Sequence, residues 1–318
     1  MRTVTTLRPD IDVICDLVLR TLLPHRRAEI PHDPATESHR SCFSAQLDAI
    51  ADFVRADEPI HLTLPAFPCK SPNQRKVLGH LPDLGELLSL RFLDHLCRQI
   101  AQIHEPGARV LICSDGHVFS DLIRVPDNHV DEYSDALQVM IDQDGLEFID
   151  TYSLRDAFPE MTYDDRRQRL TDEFAQSIDS LREEVRADDT TLRLYRGITR
   201  FLVEDTDGTS DLSRAAQQRE CRQRAYGVIQ RSRAWGELLA HDFPRSVRLS
   251  IHPQPCGSAK FGINLLEITD SWLTPWHSSA VLRADGRFAL MKRVEAEQIG
   301  HLVERDGRPS HYVVLSSN

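Results

Sequence analysis

The sequence predicts an α/β protein whose mostly parallel or mixed sheet is flanked by helices and carries a helical insertion. Three observations carry this reading. Short apolar runs alternate with helical patterns between residues 55 and 160, a long charge-rich helical texture fills 161–244, and strand character returns over 245–318. Residues 1–318 are read as one domain, with 55–160 and 245–318 as sheet core and 161–244 as an insertion or lid.

The elements follow in order. Ile11 to Leu23 places apolar residues at helical spacing, as does a second face through Phe43, Leu47, Ile50 and Val54, so both predict covering helices. A strand at 60–64 is followed by a long helix from Leu84 to His104, capped by Asp83. Then come a strand at 109–113, a helix near 128–142 and a strand at 147–150. Strands alternating with helices imply parallel pairing. Between 164 and 240, acidic and basic side chains recur three and four apart, the mark of a solvated helical face. Strands are predicted again at 246–251, 261–268, 279–283, 287–291 and 311–315, with Asp285-Gly286 as a hairpin turn that makes the late sheet mixed.

Composition bounds the function. A chain of 318 residues can bury a full core unaided, and 41% hydrophobic with 27% charged residues is ordinary for a globular protein. The formal charge of −11 repels nucleic-acid phosphates and anionic headgroups, so neither nucleic acid nor a membrane is expected as a partner. No uncharged apolar run approaches the roughly 18 residues that span a bilayer, and the opening MRTVTTLRPDID lacks a secretory apolar region, so a cytoplasmic location is expected. Seven cysteines, odd in number and without a C-x-x-C pair, predict small buried hydrophobes rather than disulfides or a zinc site.

In an open parallel sheet, ligands bind beyond the carboxyl ends of the strands. Three polar loops should open on that rim: PAFPCKS after 60–64, SDGHVFSD after 109–113 and TYS after 147–150. Lys70-Ser71 resembles the tail of a phosphate loop, but Pro68 and Pro72 remove backbone donors and no glycine precedes, which argues against a nucleotide P-loop. Lys70 remains a candidate point charge for phosphate on a proline-stiffened loop, or an amine nucleophile. Asp115-Gly116 reads either as a ligand-binding turn with positive φ at the glycine or as a plain capped turn. No G-x-G-x-x-G follows a strand, so a dinucleotide site is not expected, and His129-Val130-Asp131 sits where helix geometry separates the two ligands. Near the end, Arg248, His252, Lys260 and His277 put four cations or proton carriers on one strand-loop-strand unit, beside Trp276. The plainer alternative is scattered surface bases and a packed histidine.

Taken together, LPAFPCKSPN, LPDLGELLSL, CSDGHVFSDLI, YRGITRFLVED, RLSIHPQPCGSAKFGINLL and TPWHSSAV, in this order, resemble the isocyanide (isonitrile) synthases of the pyoverdine/dityrosine biosynthesis family, over roughly residues 55 to 285. The resemblance implies a Rossmann-like core with added helices. It also implies an enzyme that turns the α-amine of tyrosine or tryptophan into an isonitrile with carbon from C2 of ribulose 5-phosphate, and tyrosine is favoured. No metal, nucleotide or redox cofactor is implied, and an iron/2-oxoglutarate oxygenase is the implied pathway partner.

Such chemistry needs general acids and bases near neutrality and fixed cations for phosphate and carboxylate. On that basis Lys70, Ser71 and Lys260 are expected to hold phosphate and Arg248 a carboxylate or phosphate. His252 and His277 would move protons, and Asp115 and Asp121 would receive the amine or sugar hydroxyls. Arg200 and Glu204 would reach in from the insertion, and Phe119 and Trp276 would flank an aromatic ring. Two rivals use the same residues: a lysine-dependent phosphosugar aldolase, and a non-catalytic sugar-phosphate-binding regulator.

Overall fold

A computed structural model describes residues 10–29, 39–206, 212–268 and 273–314. Helices α1 (Ile11–Leu22), α2 (His39–Cys42) and α3 (Ser44–Ala56) precede strand β1 (Ile60–Pro65). Then follow α4 (Leu84–Ala101), β2 (Ala108–Cys113), α5 (Gly116–Ile123), α6 (Asp127–Asp144) and β3 (Ile149–Tyr152). Five helices come next: α7 (Leu154–Ala157), α8 (Tyr163–Phe174), α9 (Ile178–Ala187), α10 (Asp189–Asp205) and α11 (Arg214–Asp242). The chain returns through β4 (Val247–Ser250), β5 (Lys260–Gly262), β6 (Glu267–Ile268), β7 (Ser279–Leu282) and β8 (Phe288–Met291). It ends with α12 (Arg293–Ile299), β9 (Gly300–Arg305) and β10 (Arg308–Val314), so Leu315 of the last predicted strand lies outside the described residues.

The first sheet runs β3-β2-β1-β4-β5 with every neighbour parallel. β1 is its centre, and Ile60, Leu62 and Leu64 are fully buried against helices, as a strand covered on both faces requires. Strand order reverses between β1 and β4, so the loops after these two strands diverge and leave a crevice at their carboxyl ends. The fold is therefore α/β with a mostly parallel five-stranded sheet flanked by helices.

The late strands depart from a single sheet. β4 and β5 join the first sheet, whereas β6, β8, β7, β10 and β9 form a second, mixed one that contains the Asp285-Gly286 hairpin. The apolar run 261–268 is split between them because the backbone of Asn264 bonds to the His25 carbonyl and its side chain to the Arg26 carbonyl, which takes residue 264 out of any ladder.

Three local devices shape the crevice. Asp83 and Glu86 form a reciprocal capping box at the start of α4. A Cβ on Gly116 would lie 2.1 Å from the Pro68 carbonyl oxygen, so close approach of two loops, not the positive φ expected from sequence, demands glycine there. A Cβ on Gly262 would meet the Arg27 carbonyl oxygen at the same distance, and the Arg27 N–H donates to the Gly262 carbonyl at 2.7 Å. The chain's beginning is thereby laid along β5.

A disulfide joins Cys42 to Cys256, contrary to the sequence expectation, and the other five cysteines are free and buried. Spacing gave no warning, since the partners are 214 residues apart and meet only when α2 packs beside the connection 251–259. No helix of the described residues is long and apolar enough to cross a membrane. Alkylation of the unfolded, unreduced protein should label five cysteines and label seven after reduction; seven labels without reductant would refute the bridge.

Candidate active site

A cavity of about 270 Å³ opens at the carboxyl ends of β1 and β4, under helices α10 and α11. Its floor comes from the loops after β1, β2 and β4 and from the turn 274–277, and its roof from the insertion. One wall is apolar. Phe119 and Ile123 of α5 face Leu194, Ile198 and Phe201 of α10 and Val228 of α11. On α10 the cavity-facing residues 194, 198, 201 and 205 are spaced three and four apart, one helical stripe.

The opposite wall is polar. Asp115 stands at the start of α5, where its side chain makes no capping bond. Burial pushes its carboxyl up to about 7, partly offset by its own backbone N–H. A carboxyl poised there can take a proton from an ammonium near neutrality. His277 is held by Thr274, whose Oγ1 lies 3.0 Å from Nδ1, and its Nε2 is 3.9 Å from Asp205 Oδ2. Burial lowers His277 to about 4, against the pull of Asp205 and with Lys76, Lys70 and His252 adding to the downward shift.

His252 follows β4, and Ser250 Oγ accepts its backbone N–H at 3.1 Å. Burial, then Arg27 and Lys260, lower it to about 4. The residue is nonetheless exposed at the cavity. Lys260 is also lowered, by burial and then by Arg248, with Glu237 opposing. No carboxylate among the described residues forms an ion pair with it. Arg27 completes this corner, its guanidinium donating to the Ile251 carbonyl. Arg27 and Lys260 thus gather positive charge beside the uncharged His252 where the cavity meets β5.

The expected site residues divide. Ser71, Asp115, Phe119, His252, Lys260, Trp276 and His277 all line the cavity, Trp276 buried against Phe67. Lys70 borders it, but its side chain has 0% exposure. Its ammonium donates to Asp83 and Glu86, each at 2.8 Å, and to the Pro275 carbonyl at 3.0 Å. With all three protons engaged, Lys70 offers none to a phosphate. Arg248 is turned aside, donating to the Gly236 carbonyl at 3.1 Å. Asp121 lies on the flank of α5 that meets α11 and accepts from Arg231. Arg200 is exposed because it falls off the α10 stripe, and Glu204 accepts from Lys292 at 2.6 Å outside the cavity.

Several cavity residues escaped the sequence reading, Phe201, Asp205 and Arg27 among them. Asp205 is adjacent to Glu204, and continuing the stripe 194, 198, 201 would have selected it. Arg27 gave no signal, since it arrives through tertiary pairing alone. His129 and Asp131 diverge as expected: His129 stacks on His80, and Asp131 pairs with Arg155.

The geometry defines an α/β enzyme with a cleft divided between an apolar face and a set of bases and cations. The family model for the pyoverdine/dityrosine biosynthesis protein matches residues 50–303. The L-tyrosine isonitrile synthase of Pseudomonas aeruginosa is 49% identical over 95% of this chain and 94% of its own. An L-tryptophan isonitrile synthase of Fischerella ambigua, AmbI2, is 43% identical over 94% and 92%. The crystal structure of PvcA from Pseudomonas aeruginosa superposes with a TM-score of 0.87 at 47% identity, covering 95% of this chain and 99% of that one. The chain belongs to the pyoverdine/dityrosine biosynthesis family. It is an isonitrile synthase.

The shifted groups make stability depend on pH with opposite signs. Asp115 is raised in the folded state, so its contribution is full below about pH 4 and is lost as pH rises through about 7. His252 and His277 are lowered, so theirs is present above about 6.5 and lost as pH falls toward 4. Asp115→Asn should therefore melt progressively higher, relative to the parent, as pH is raised from about 5 to about 8. A difference in melting temperature that stays constant across that range would refute the raised carboxyl.

Proposed function

We propose that this isonitrile synthase converts the α-amine of an aromatic amino acid, tyrosine before tryptophan, to an isocyanide, with C2 of ribulose 5-phosphate as the carbon, in secondary-metabolite biosynthesis. The observation that carries the reading is the division of one cavity into an aromatic-lined half and a cationic corner. The tyrosine preference rests on the 49% identity to one tyrosine enzyme; a second tyrosine enzyme stands at 43%, level with the tryptophan enzyme.

In this reading Arg27 and Lys260 hold the sugar phosphate, with His252 beside them. Asp115 takes the proton from the substrate ammonium, and the freed amine attacks the C2 ketone. His277, kept neutral by burial, accepts and returns protons as the carbinolamine loses water to give the C2 imine. Phe119, Phe201 and Trp276 enclose the amino-acid ring. The lyase-type reaction proceeds on acids, bases and fixed cations, without metal or nucleotide cofactor. The protein works in the cytoplasm and passes its product to an iron/2-oxoglutarate oxygenase.

Mass spectrometry after mixing the protein with tyrosine or tryptophan and ribulose 5-phosphate labelled with 13C at C2 should find labelled isocyanide, more from tyrosine. Unlabelled product, or none from either amino acid, would overturn the reading. Lys260→Met should raise the KM for ribulose 5-phosphate at least about tenfold, the loss of one charge-assisted contact, and an unchanged KM would remove Lys260 from the phosphate site.

The lowered, carboxylate-free Lys260 amine also favours a second reading, an aldolase-like Schiff base with the ketose. Borohydride separates the two: sugar trapped on the protein without amino acid supports the covalent amine.

A further inference from the structure

One charge beside the cavity is fully bonded and out of reach of substrate. Lys70 lies in the loop after β1, Asp83 and Glu86 at the start of α4, and Tyr133 on α6 donates its hydroxyl to Glu86 Oε1 at 3.2 Å. The Asp83 N–H donates to the same carboxylate, at Oε2, which also receives Lys70. The side chains of Lys70 and Glu86 have no exposure and that of Asp83 has 3%.

What this cluster grips is the segment that delivers His277. Lys70 Nζ donates to the Pro275 carbonyl at 3.0 Å, and the next residue, Ser71, donates its N–H to the Trp276 carbonyl at 2.9 Å. Two successive loop residues therefore hold the two carbonyls that precede His277. From the other side, Thr274 holds the ring at Nδ1.

We propose that Lys70 is a positioning residue: its ammonium, balanced by Asp83 and Glu86, fixes the Pro275 carbonyl and so sets where His277 stands in the cavity, without touching substrate. The proposal rests on the reading that His277 serves the reaction.

Desolvation supports it. Burying an ammonium costs several kcal/mol unless close partners compensate, and a lysine meant for substrate gains nothing from spending all three protons on protein oxygens. Burial holds Lys70 down while Asp83 and Glu86 outweigh it, so the amine stays charged. That charge is also among those keeping His277 neutral. The same bonds exclude Lys70 as the Schiff-base nucleophile, since an ammonium so paired has no free lone pair.

Two measurements test this, one of them on the unaltered enzyme. In 1H–15N spectra the Lys70 ammonium should exchange slowly and stay in place when inorganic phosphate or ribulose 5-phosphate is added; a Lys70 signal that moves with either ligand overturns the proposal. The second uses Lys70→Met with Asp83→Asn, which removes one charge of each sign and keeps a side-chain acceptor at the α4 N-cap. The His277 titration should move upward. With ribulose 5-phosphate and amino acid, kcat should fall about 100-fold, the cost of a misplacement near 1 Å, while the KM for the pentulose phosphate changes by less than about threefold. A KM raised tenfold with kcat retained, or an unmoved His277 titration, overturns it. Should the parent enzyme make no isocyanide at all, the proposed function fails, but the His277 titration and the Lys70 exchange still decide the positioning role. Should the double variant not fold, the spectra of the parent decide it.

Discussion

Lys70, buried with two carboxylates, is the interaction on which the cavity depends. The loop after β1 carries three prolines and so contributes few backbone hydrogen bonds of its own. The ammonium instead ties it to the α4 capping box and to the turn before His277, and thereby joins the first sheet, a helix start and the connection to the second sheet. A buried ion cluster of this kind contributes little net stability, because desolvation of each charge offsets most of the attraction. Its effect is on geometry, since a misplaced partner would leave a charge uncompensated.

The cavity inverts the electrostatics of the molecule around it. A protein of net charge −11 places Arg27, His252 and Lys260 at one corner, with Arg248 just behind. Burial, and then the crowding of like charges, push Lys260 and His252 toward their neutral forms. An anion placed at that corner would relieve the crowding. Asp115 lies under the reverse pressure, a carboxyl that burial keeps near the point of holding its proton. Acid and base are thus separated by environment within one wall.

Much of the frame was legible. The α4 start could be read because Asp83 and Glu86 are three residues apart, and β1 and β2 because their apolar residues are confined to short runs. Helices α8 to α11 were visible in their charge spacing, and the rim rule located the cavity from strand ends alone. The failures share one cause. Lys70 was assigned to phosphate because its partners, 13 and 16 residues away, return to it only when α4 docks. The run 261–268 looked like one strand because no local pattern reveals that Asn264 bonds to the chain's beginning. Cys42 and Cys256, and Arg27 in the cavity, are likewise products of long-range closure.

That closure sets an order of events during synthesis. Arg27 reaches the cationic corner only by lying along Gly262, and Gly262 has no room for a side chain beneath it. While a ribosome is still making the middle of the chain, the first segment has no edge strand to lie on, and the corner does not exist. Its contacts have among the highest sequence separation in the molecule, and such contacts form late. A nascent chain can therefore build its sheet and roof before its cationic corner is in place.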